Sequence, residues 1–311
     1  MDIRPLKPEL QEKAIRELNE DPIRIPDAFD HIRDWLRKQP HLNVRKDDQM
    51  MIAFLRGCKW NLQIAKQKLD YFYSAKSQIS DFFVDRDPLS PKIQKVLKAG
   101  RIFPLPNLEN EFGPAIIFCH MKGMDVNETP LVEVLKVLFM TIDILLREDD
   151  NLVVSGLTML IDYDECPASY YLQFTPTLIM NYLKCLQNAY PLRIKNAVVF
   201  NTVSVLQVIY NTVFKPFMST KLYERVQVLN EPQTKKFFSD LPKNPLPKEL
   251  GGTNESIHIA AENWKKKVES YREWFIEDAK YVSDEKLRIA NTSMFENDIG
   301  VDGTFRKLVI D

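Results

Sequence analysis

Glycine is scarce in this chain, with nine residues in 311 against nineteen prolines. Loops that cradle nucleotide phosphates need glycine where the backbone approaches the ligand, and neither GxGxxG nor GxxxxGK[ST] occurs. The GxSxG elbow of serine hydrolases and the HExxH motif of zinc proteases are also missing. The sequence therefore disfavours nucleotide-driven chemistry and offers neither of these hydrolase signatures.

Paired cysteines, a secretory signal and long apolar runs are missing as well. The four cysteines are widely spaced without a CxxC pair, which favours reduced thiols in a cytosolic protein: Cys58, Cys119, Cys166 and Cys185. Asp2 stands where N-myristoylation requires glycine, and no apolar run reaches the roughly 20 residues that span a bilayer. We therefore expect a cytoplasmic protein that meets membranes only transiently, at their surface.

An excess of charge of either sign is lacking too. The 42 basic and 43 acidic residues give a formal net charge of −1, so no nucleic-acid partner is implied and any anion site must be a local patch. The four histidines show no metal-ligand spacing. We expect neither a metal nor a cofactor.

The hydrophobic pattern changes near residue 90. Before it, helical periodicity predicts a small helical unit, with Asp27 as an N-cap of one helix and Gly57 as the C-cap of another. After it, four short apolar strands alternate with amphipathic helices: residues 115–121, 157–163, 197–201 and 225–229. This alternation predicts an α/β fold with a mainly parallel sheet. The predicted domains are a helical unit (1–90), an α/β domain (91–255) and a C-terminal helix with a surface tail (256–311).

The stretch from Tyr190 to Leu229 is the most distinctive. Residues 202–214 form a predicted helix without a single charge, too short to cross a bilayer. Six basic residues and one acid, Glu224, occur between residues 184 and 225. This arrangement suggests a cover over an apolar cavity beside an anionic surface. An ordinary core helix with solvated charges at its ends would look the same.

Candidate catalytic groups are few. Cys119 and His120 are adjacent on a predicted strand, so their side chains point to opposite faces and cannot act as a pair. Asp162, Asp164 and Glu165 end another strand and could bind a metal or act as acid and base, but we favour a structural role because no histidine or glycine-rich loop accompanies them. We do not expect an enzyme.

Four motifs together resemble the CRAL-TRIO lipid-transfer family. They occur in the family's order, and the resemblance covers roughly residues 25–280: AFLRGCKWN at 53–61, NAYPLRIK at 188–195, FKPFMS at 214–219 and LPKELGG at 246–252. The end of the chain, GTFRKL at 303–308, is similar to that of many invertebrate members. Asn196 and Cys166 stand where the family usually has glycine, and residues 228–230 replace its usual His-Gly, so ligand identity does not transfer.

The resemblance implies a lipid cavity within the α/β domain, a mobile lid helix and a phosphoinositide site. The implied pocket residues are Leu135, Leu138, Ile142, Leu157, Ile161, Phe174, Tyr182, Cys185, Leu186 and Leu192. The implied lid residues are Val205, Leu206, Ile209, Tyr210, Val213 and Phe214. The implied phosphoinositide ligands are Arg193, Lys195, Lys215, Lys221 and Arg225.

We therefore expect a carrier of one small hydrophobic lipid, such as a tocopherol, retinoid or carotenoid, that releases it at phosphoinositide-containing membranes by lid opening. A phosphoinositide-sensing adaptor with a structural lipid and no transport role is the alternative. An enzyme acting on the lipid requires Cys119, Asp162 or Asp164 to face the cavity. The sequence leaves the oligomeric state open, with a monomer favoured.

Overall fold

The computed structural model describes residues 1–106, 111–242 and 246–289. It joins a helical N-terminal region to a five-stranded sheet flanked by helices, which confirms the predicted α/β class. The tail motif predicted at residues 303–308 lies outside the described residues.

Fourteen α-helices occur in these three described stretches. They are α1 (Pro8–Leu18), α2 (Ile25–Arg37), α3 (Asp48–Gly57), α4 (Leu62–Gln78), α5 (Ser80–Phe83), α6 (Pro91–Lys98), α7 (Leu131–Glu148), α8 (Asp150–Ser155), α9 (Pro176–Lys184), α10 (Ser204–Ile209), α11 (Thr220–Tyr223), α12 (Glu231–Ser239), α13 (Ile257–Ser270) and α14 (Arg272–Asp278). Several begin at a side chain that satisfies a free backbone N–H: Asp47 Oδ1 accepts from Met50 N at 3.0 Å, and Asn61 Oδ1 accepts from Ile64 N at 3.0 Å.

The sheet follows the order of the chain. Its strands are β1 (Ile102–Leu105), β2 (Ala115–His120), β3 (Leu157–Asp162), β4 (Ile194–Phe200) and β5 (Val226–Val228). The pair β1 and β2 is antiparallel and the other three pairs are parallel. On one face lie α7, α9 and α10; on the other, α12 packs its Phe238 ring 4.9 Å from that of Phe200. Strands of a mainly parallel sheet that is covered on both faces have both of their side-chain faces buried, so they must be apolar throughout. This accounts for the short apolar runs in the sequence.

Two predicted caps are wrong. Asp27 lies inside the first turn of α2, because a 3₁₀ turn at Pro22–Arg24 leads directly into that helix; Asp21 caps this turn instead, accepting from Ile23 N at 3.1 Å. Gly57 is the last residue of α3 rather than its cap. A Cβ at Gly57 would lie 2.2 Å from Pro191 O, so glycine here permits a close approach of two backbones.

Tyr190 joins the helical N-terminal region to the α/β region. Its fully buried ring packs against Phe72 at 5.1 Å and Phe139 at 5.2 Å, and its hydroxyl donates to Asp143 Oδ1 at 2.9 Å. Because α4 and α7 both contact this one ring, the two regions share a continuous core.

The segment after α14 returns to the helical region. Ser283 N donates to Tyr73 O at 3.1 Å, and the guanidinium of Arg288 donates to both carboxylate oxygens of Asp70 at 2.8 and 2.9 Å. Residues 283–288 therefore lie along α4, while the surface tail as a whole stays a prediction.

Candidate functional site

An apolar cavity lies between the sheet and the helices α7, α9 and α10, divided into two lobes. The first lobe, of about 80 Å³, lies under α10; the second, of about 70 Å³, lies under α7. Five side chains border both lobes and form the partition between them: Met159, Ile161, Tyr163, Tyr182 and Phe214.

Strand alternation decides which side chains reach this cavity. Met159 and Ile161 face it, whereas Thr158 and Leu160 line a shallow groove on the opposite face of the sheet. Ile161 pairs in register with Cys119 on one neighbouring strand and Val199 on the other, so these three side chains form one row of the cavity floor.

Six of the ten predicted pocket residues line the apolar cavity. They are Leu135, Leu138 and Phe174 in the second lobe, Leu186 in the first, and Ile161 and Tyr182 in both. Leu192 instead lines a polar groove outside, and Ile142, Leu157 and Cys185 are buried residues that border neither lobe. The sequence prediction missed Met159 and Tyr163. They lie two residues before and two residues after Ile161, so the alternation of side chains along a strand could have identified them.

The predicted lid lies within residues 204–217, here called the lid segment, which borders the first lobe. It is not the continuous helix predicted over residues 202–214: α10 is followed by a π turn at Tyr210–Phe214 and a 3₁₀ turn at Lys215–Phe217. Proline at 216 cannot donate a backbone hydrogen bond, and its ring would clash within a regular helix, so the helix changes form just before it.

The lid segment has an inner and an outer face. Of the predicted lid residues, Leu206, Tyr210 and Phe214 line the first lobe, while Ile209 and Val213 are half-buried against the core. Val205 faces outward with Val203 and Val208, and these side chains are 48%, 51% and 60% exposed. The outer face therefore carries exposed valines among exposed polar side chains, which include Gln207, Asn211 and Thr212.

A cationic groove of about 510 Å³ lies beside the cavity, between the helical region and the sheet. Among the residues that the structure describes, five cations line it and no carboxylate does: Lys59, Lys68, Arg193, Lys221 and Arg225. Leu186, Ile194 and Leu222 line this groove and also the first lobe. One layer of side chains therefore separates the apolar cavity from a strongly positive surface.

The five predicted anion ligands are not equivalent. Arg193 donates to the carbonyls of Val153 and Val154 at the end of α8, and Arg225 donates to Ile194 O, so backbone binds part of each guanidinium group. Lys195 and Lys215 do not line the groove, and the ammonium of Lys215 lies 4.6 Å from the ring centre of Tyr223.

The sequence prediction missed two cations, Lys59 and Lys68, which come from the helical region. Lys59 is exposed and, like Lys221, has no hydrogen-bond or ion-pair partner among the described residues. Lys68 Nζ donates to Gln187 O at 2.6 Å and Tyr190 O at 2.9 Å, and burial, with a contribution from Lys221, lowers its pKa to about 8. The other cations of this groove lie more than a hundred residues later in the chain. Nothing local in the sequence links Lys59 and Lys68 to them.

The candidate catalytic groups lie in different surroundings. Cys119 does line the second lobe, but burial raises its thiol pKa to about 12 and keeps it protonated. Burial lowers the pKa of His120 to about 4, and this ring bonds to Gly100 O at 2.9 Å. Asp162, whose pKa is raised by burial, accepts from Asp164 N and Asn201 Nδ2 and borders neither lobe.

Within the described stretches, no helix is both long enough and apolar enough to cross a bilayer.

Comparison with known proteins gives several matches. The CRAL/TRIO domain matches residues 100–252, and the Pinta-like UBA domain matches residues 21–93. Clavesin-2 of Rattus norvegicus is 27% identical over 248 residues, which cover 79% of this chain and 75% of that protein. The alpha-tocopherol transfer protein-like protein of Homo sapiens is 28% identical over 260 residues, covering 83% and 74%. The solved structure titled "Crystal structure of Sfh5" matches with a TM-score of 0.48 and 11% identity, covering 88% of this chain and all of that one.

Proposed function

Because this chain belongs to the CRAL-TRIO family, a family of lipid-binding and lipid-transfer proteins, we propose that it binds one small hydrophobic lipid and carries it between membranes. The observation that carries this proposal is the apolar cavity, separated by one layer of side chains from the cationic groove. An apolar cavity suits a hydrophobic ligand, and a groove of cations suits anionic headgroups. The similarity to an alpha-tocopherol transfer protein-like protein supports a tocopherol as a candidate ligand. Retinoids, carotenoids and related molecules are further candidates in our proposal, because they are hydrophobic too.

The lobe volumes imply that the protein changes shape when it loads its ligand. Lobes of about 80 and 70 Å³ are small beside the roughly 300 Å³ or more of ordinary ligand pockets. Phe214 belongs both to the partition and to the lid segment, and its ring lies 5.7 Å from that of Phe174. A ligand that fills both lobes must displace this ring, so loading and lid position are coupled in our proposal.

Release at the membrane uses the groove and the outer face of the lid segment. The groove attracts phosphoinositide headgroups, at about 1 kcal/mol for each cation near the surface. The exposed valines then exchange water for the bilayer as the lid segment opens. The cytoplasmic location and the monomeric state remain predictions.

The first test is native mass spectrometry of the purified protein after incubation with vesicles loaded with α-tocopherol, retinal or phosphatidylinositol. We expect one bound lipid per chain and its transfer to acceptor vesicles. A protein that binds phosphoinositide vesicles but takes up none of these lipids would instead be an adaptor, a role that the small lobes and the large cationic groove would then explain.

The groove is tested by Lys59→Gln combined with Lys221→Gln, since these two cations have no competing partner among the described residues. We expect transfer to acceptor vesicles containing phosphatidylinositol bisphosphate to slow by roughly tenfold or more, because two cations contribute about 2 kcal/mol of membrane attraction. Ligand occupancy at equilibrium should not change.

The matched control is Lys38→Gln with Lys280→Gln, which removes two exposed lysines outside the groove. Equal slowing by both double variants would mean that only total charge matters, and the groove assignment would be lost.

A further inference from the structure

A single hydroxyl group lies among the cations of the groove. Ser219 lines the groove together with Lys59, Lys68 and Lys221, and among the described residues of this lining it alone carries a hydroxyl. The residue is exposed, and it ends the motif FKPFMS at 214–219. Neither the apolar cavity nor the attraction of headgroups by cations gives this hydroxyl a role.

The backbone around Ser219 is extended and lies between two short turns. Met218 has a φ of −88° and a ψ of 136°, and Ser219 has a φ of −65° and a ψ of 151°. The 3₁₀ turn before them, Lys215–Phe217, has three residues, and α11 after them has four. Turns this short have little stability of their own, so an enzyme that modifies side chains can reach this segment at a small conformational cost.

Hydrogen bonds hold this segment at the wall of the groove. Ser219 N donates to Gln187 Oε1 at 2.7 Å, and Gln187 Nε2 donates to Phe217 O at 3.0 Å. Gln187 also lines the groove, and its carbonyl accepts from Lys68 Nζ at 2.6 Å. Ser219 Oγ accepts from Leu222 N at 3.3 Å, and no described acceptor takes its hydroxyl hydrogen. A group attached to this oxygen would therefore remain beside the cations.

The positive charges of the groove are poorly compensated. Lys59 and Lys221 have no partner in the described part of the chain, and the charge of Lys221 adds to burial in lowering the pKa of Lys68. A phosphate on a serine carries a charge of about −1.5 to −2 at pH 7 and has three strong acceptor oxygens. It would neutralise about two of the cations and accept hydrogen bonds from the ammonium groups.

We propose that Ser219 is a phosphorylation site whose phosphate occupies the cationic groove and thereby prevents the binding of anionic lipid headgroups. This inference rests on the proposed function, because it names the regulation of the same groove. A protein kinase would transfer the γ-phosphoryl group of a nucleoside triphosphate to Ser219 Oγ. The new O–P bond forms as the bond from the γ-phosphorus to the bridging oxygen breaks; the nucleoside diphosphate leaves, and the hydroxyl proton passes to the kinase. A tethered phosphate has a high effective concentration, so it competes well with a headgroup from outside.

The test compares the full-length protein with and without phosphoserine incorporated at position 219 during translation. Co-sedimentation with vesicles containing phosphatidylinositol bisphosphate should be weaker by roughly tenfold or more in the phosphorylated protein, because about two cations lose their charge. Its melting temperature should rise, since the phosphate relieves repulsion between the cations. In cells that produce the protein naturally, lysed with phosphatase inhibitors, tandem mass spectrometry should find a phosphate on Ser219.

The matched control carries phosphoserine at position 239, an exposed serine of α12 outside the groove. It adds the same charge and should bind vesicles nearly as well as the unmodified protein. Equal weakening by both phosphates, or weaker binding without a higher melting temperature for Ser219, would show that the phosphate does not occupy the groove. Unchanged binding, or no phosphate on Ser219 in the cells, would also overturn the proposal.

Failure of the proposed function gives a different result. If the unmodified protein itself does not bind these vesicles, the headgroup site is lost. A higher melting temperature of the protein phosphorylated at Ser219, compared with that phosphorylated at Ser239, would still place the phosphate in the groove.

Discussion

At the scale of single residues, Lys68 connects the fold to the groove. Its ammonium bridges the carbonyls of Gln187 and Tyr190, and so ties α4 to the chain just before β4. It also lines the cationic groove, where burial has lowered its pKa to about 8 from an ordinary value of 10.5. A group with this pKa loses its charge within an experimentally accessible range of pH.

Binding to anionic vesicles should therefore depend on pH through Lys68. A bound anion stabilises the charged ammonium, so affinity is fully developed below pH 8 and falls as pH rises through about 8. We expect binding to vesicles containing phosphatidylinositol bisphosphate to weaken about fivefold between about pH 7 and pH 9, which corresponds to about 1 kcal/mol for one cation. Co-sedimentation measures this.

The control is Lys68→Arg, which keeps the charge and the donors but does not titrate in this range. Its binding should follow only the titration of the lipid itself. If it weakens as much as the wild-type protein does, the pH dependence belongs to the lipid and not to Lys68.

At the scale of elements, the lid segment combines an inner apolar face with exposed valines. The inner residues Leu206 and Phe214 line the first lobe, while Val205 and Val208 face outward from α10. Exposed apolar side chains contribute little to folding, so a change at these two positions separates membrane contact from stability.

The variant Val205→Asp with Val208→Asp should transfer lipid to acceptor vesicles at least tenfold more slowly, because each carboxylate must lose its hydration to enter the bilayer interface. Its thermal unfolding should change little, since the two valines are 48% and 60% exposed. The measurements are a vesicle transfer assay and a melting curve on the same preparation.

Gln207→Asp provides the matched control, because it adds a charge at an exposed position of the same helix and removes no apolar side chain. A similar loss of transfer in this variant would indicate that charge near the membrane, and not the loss of apolar contact, is responsible.

At the scale of the whole molecule, a buried ionic cluster holds three parts of the chain together. Arg86, which follows α5, donates to Asp143 of α7 at 2.6 Å and to Asp278 of α14 at 2.9 Å. Lys76 of α4 also donates to Asp278, at 2.7 Å. The side chains of these four residues are at most 8% exposed, so each charge depends on its partners.

Arg86→Met should reduce the free energy of unfolding by about 3–5 kcal/mol, because it leaves the carboxylates of Asp143 and Asp278 buried with too few partners. Urea denaturation measures the change. Arg272→Met removes an arginine whose side chain is 41% exposed and bonds to both oxygens of Asp87, and we expect little change from it. Comparable losses in both variants would show that burial is not what makes the cluster important.

The sequence by itself determined the periodicity and therefore the elements. Alternating apolar strands and amphipathic helices predicted the parallel sheet, because backbone geometry imposes periods of two and 3.6 residues on any buried face. It did not predict the strand β1 or the helix α6, which are short and whose stability depends on neighbours, or the domain boundaries, which remain predictions.

The tertiary structure decided which side chains meet. Met159 and Tyr163 face the cavity because their strand presents alternate residues to it, and Lys59 and Lys68 reach the groove only because the helical region packs against Tyr190 and Pro191. Arg193 and Arg225 looked like free cations in the sequence, but folding gave them backbone carbonyls as partners. Local patterns fix the backbone, whereas the availability of a charge or a hydroxyl depends on groups that only long-range packing brings within reach.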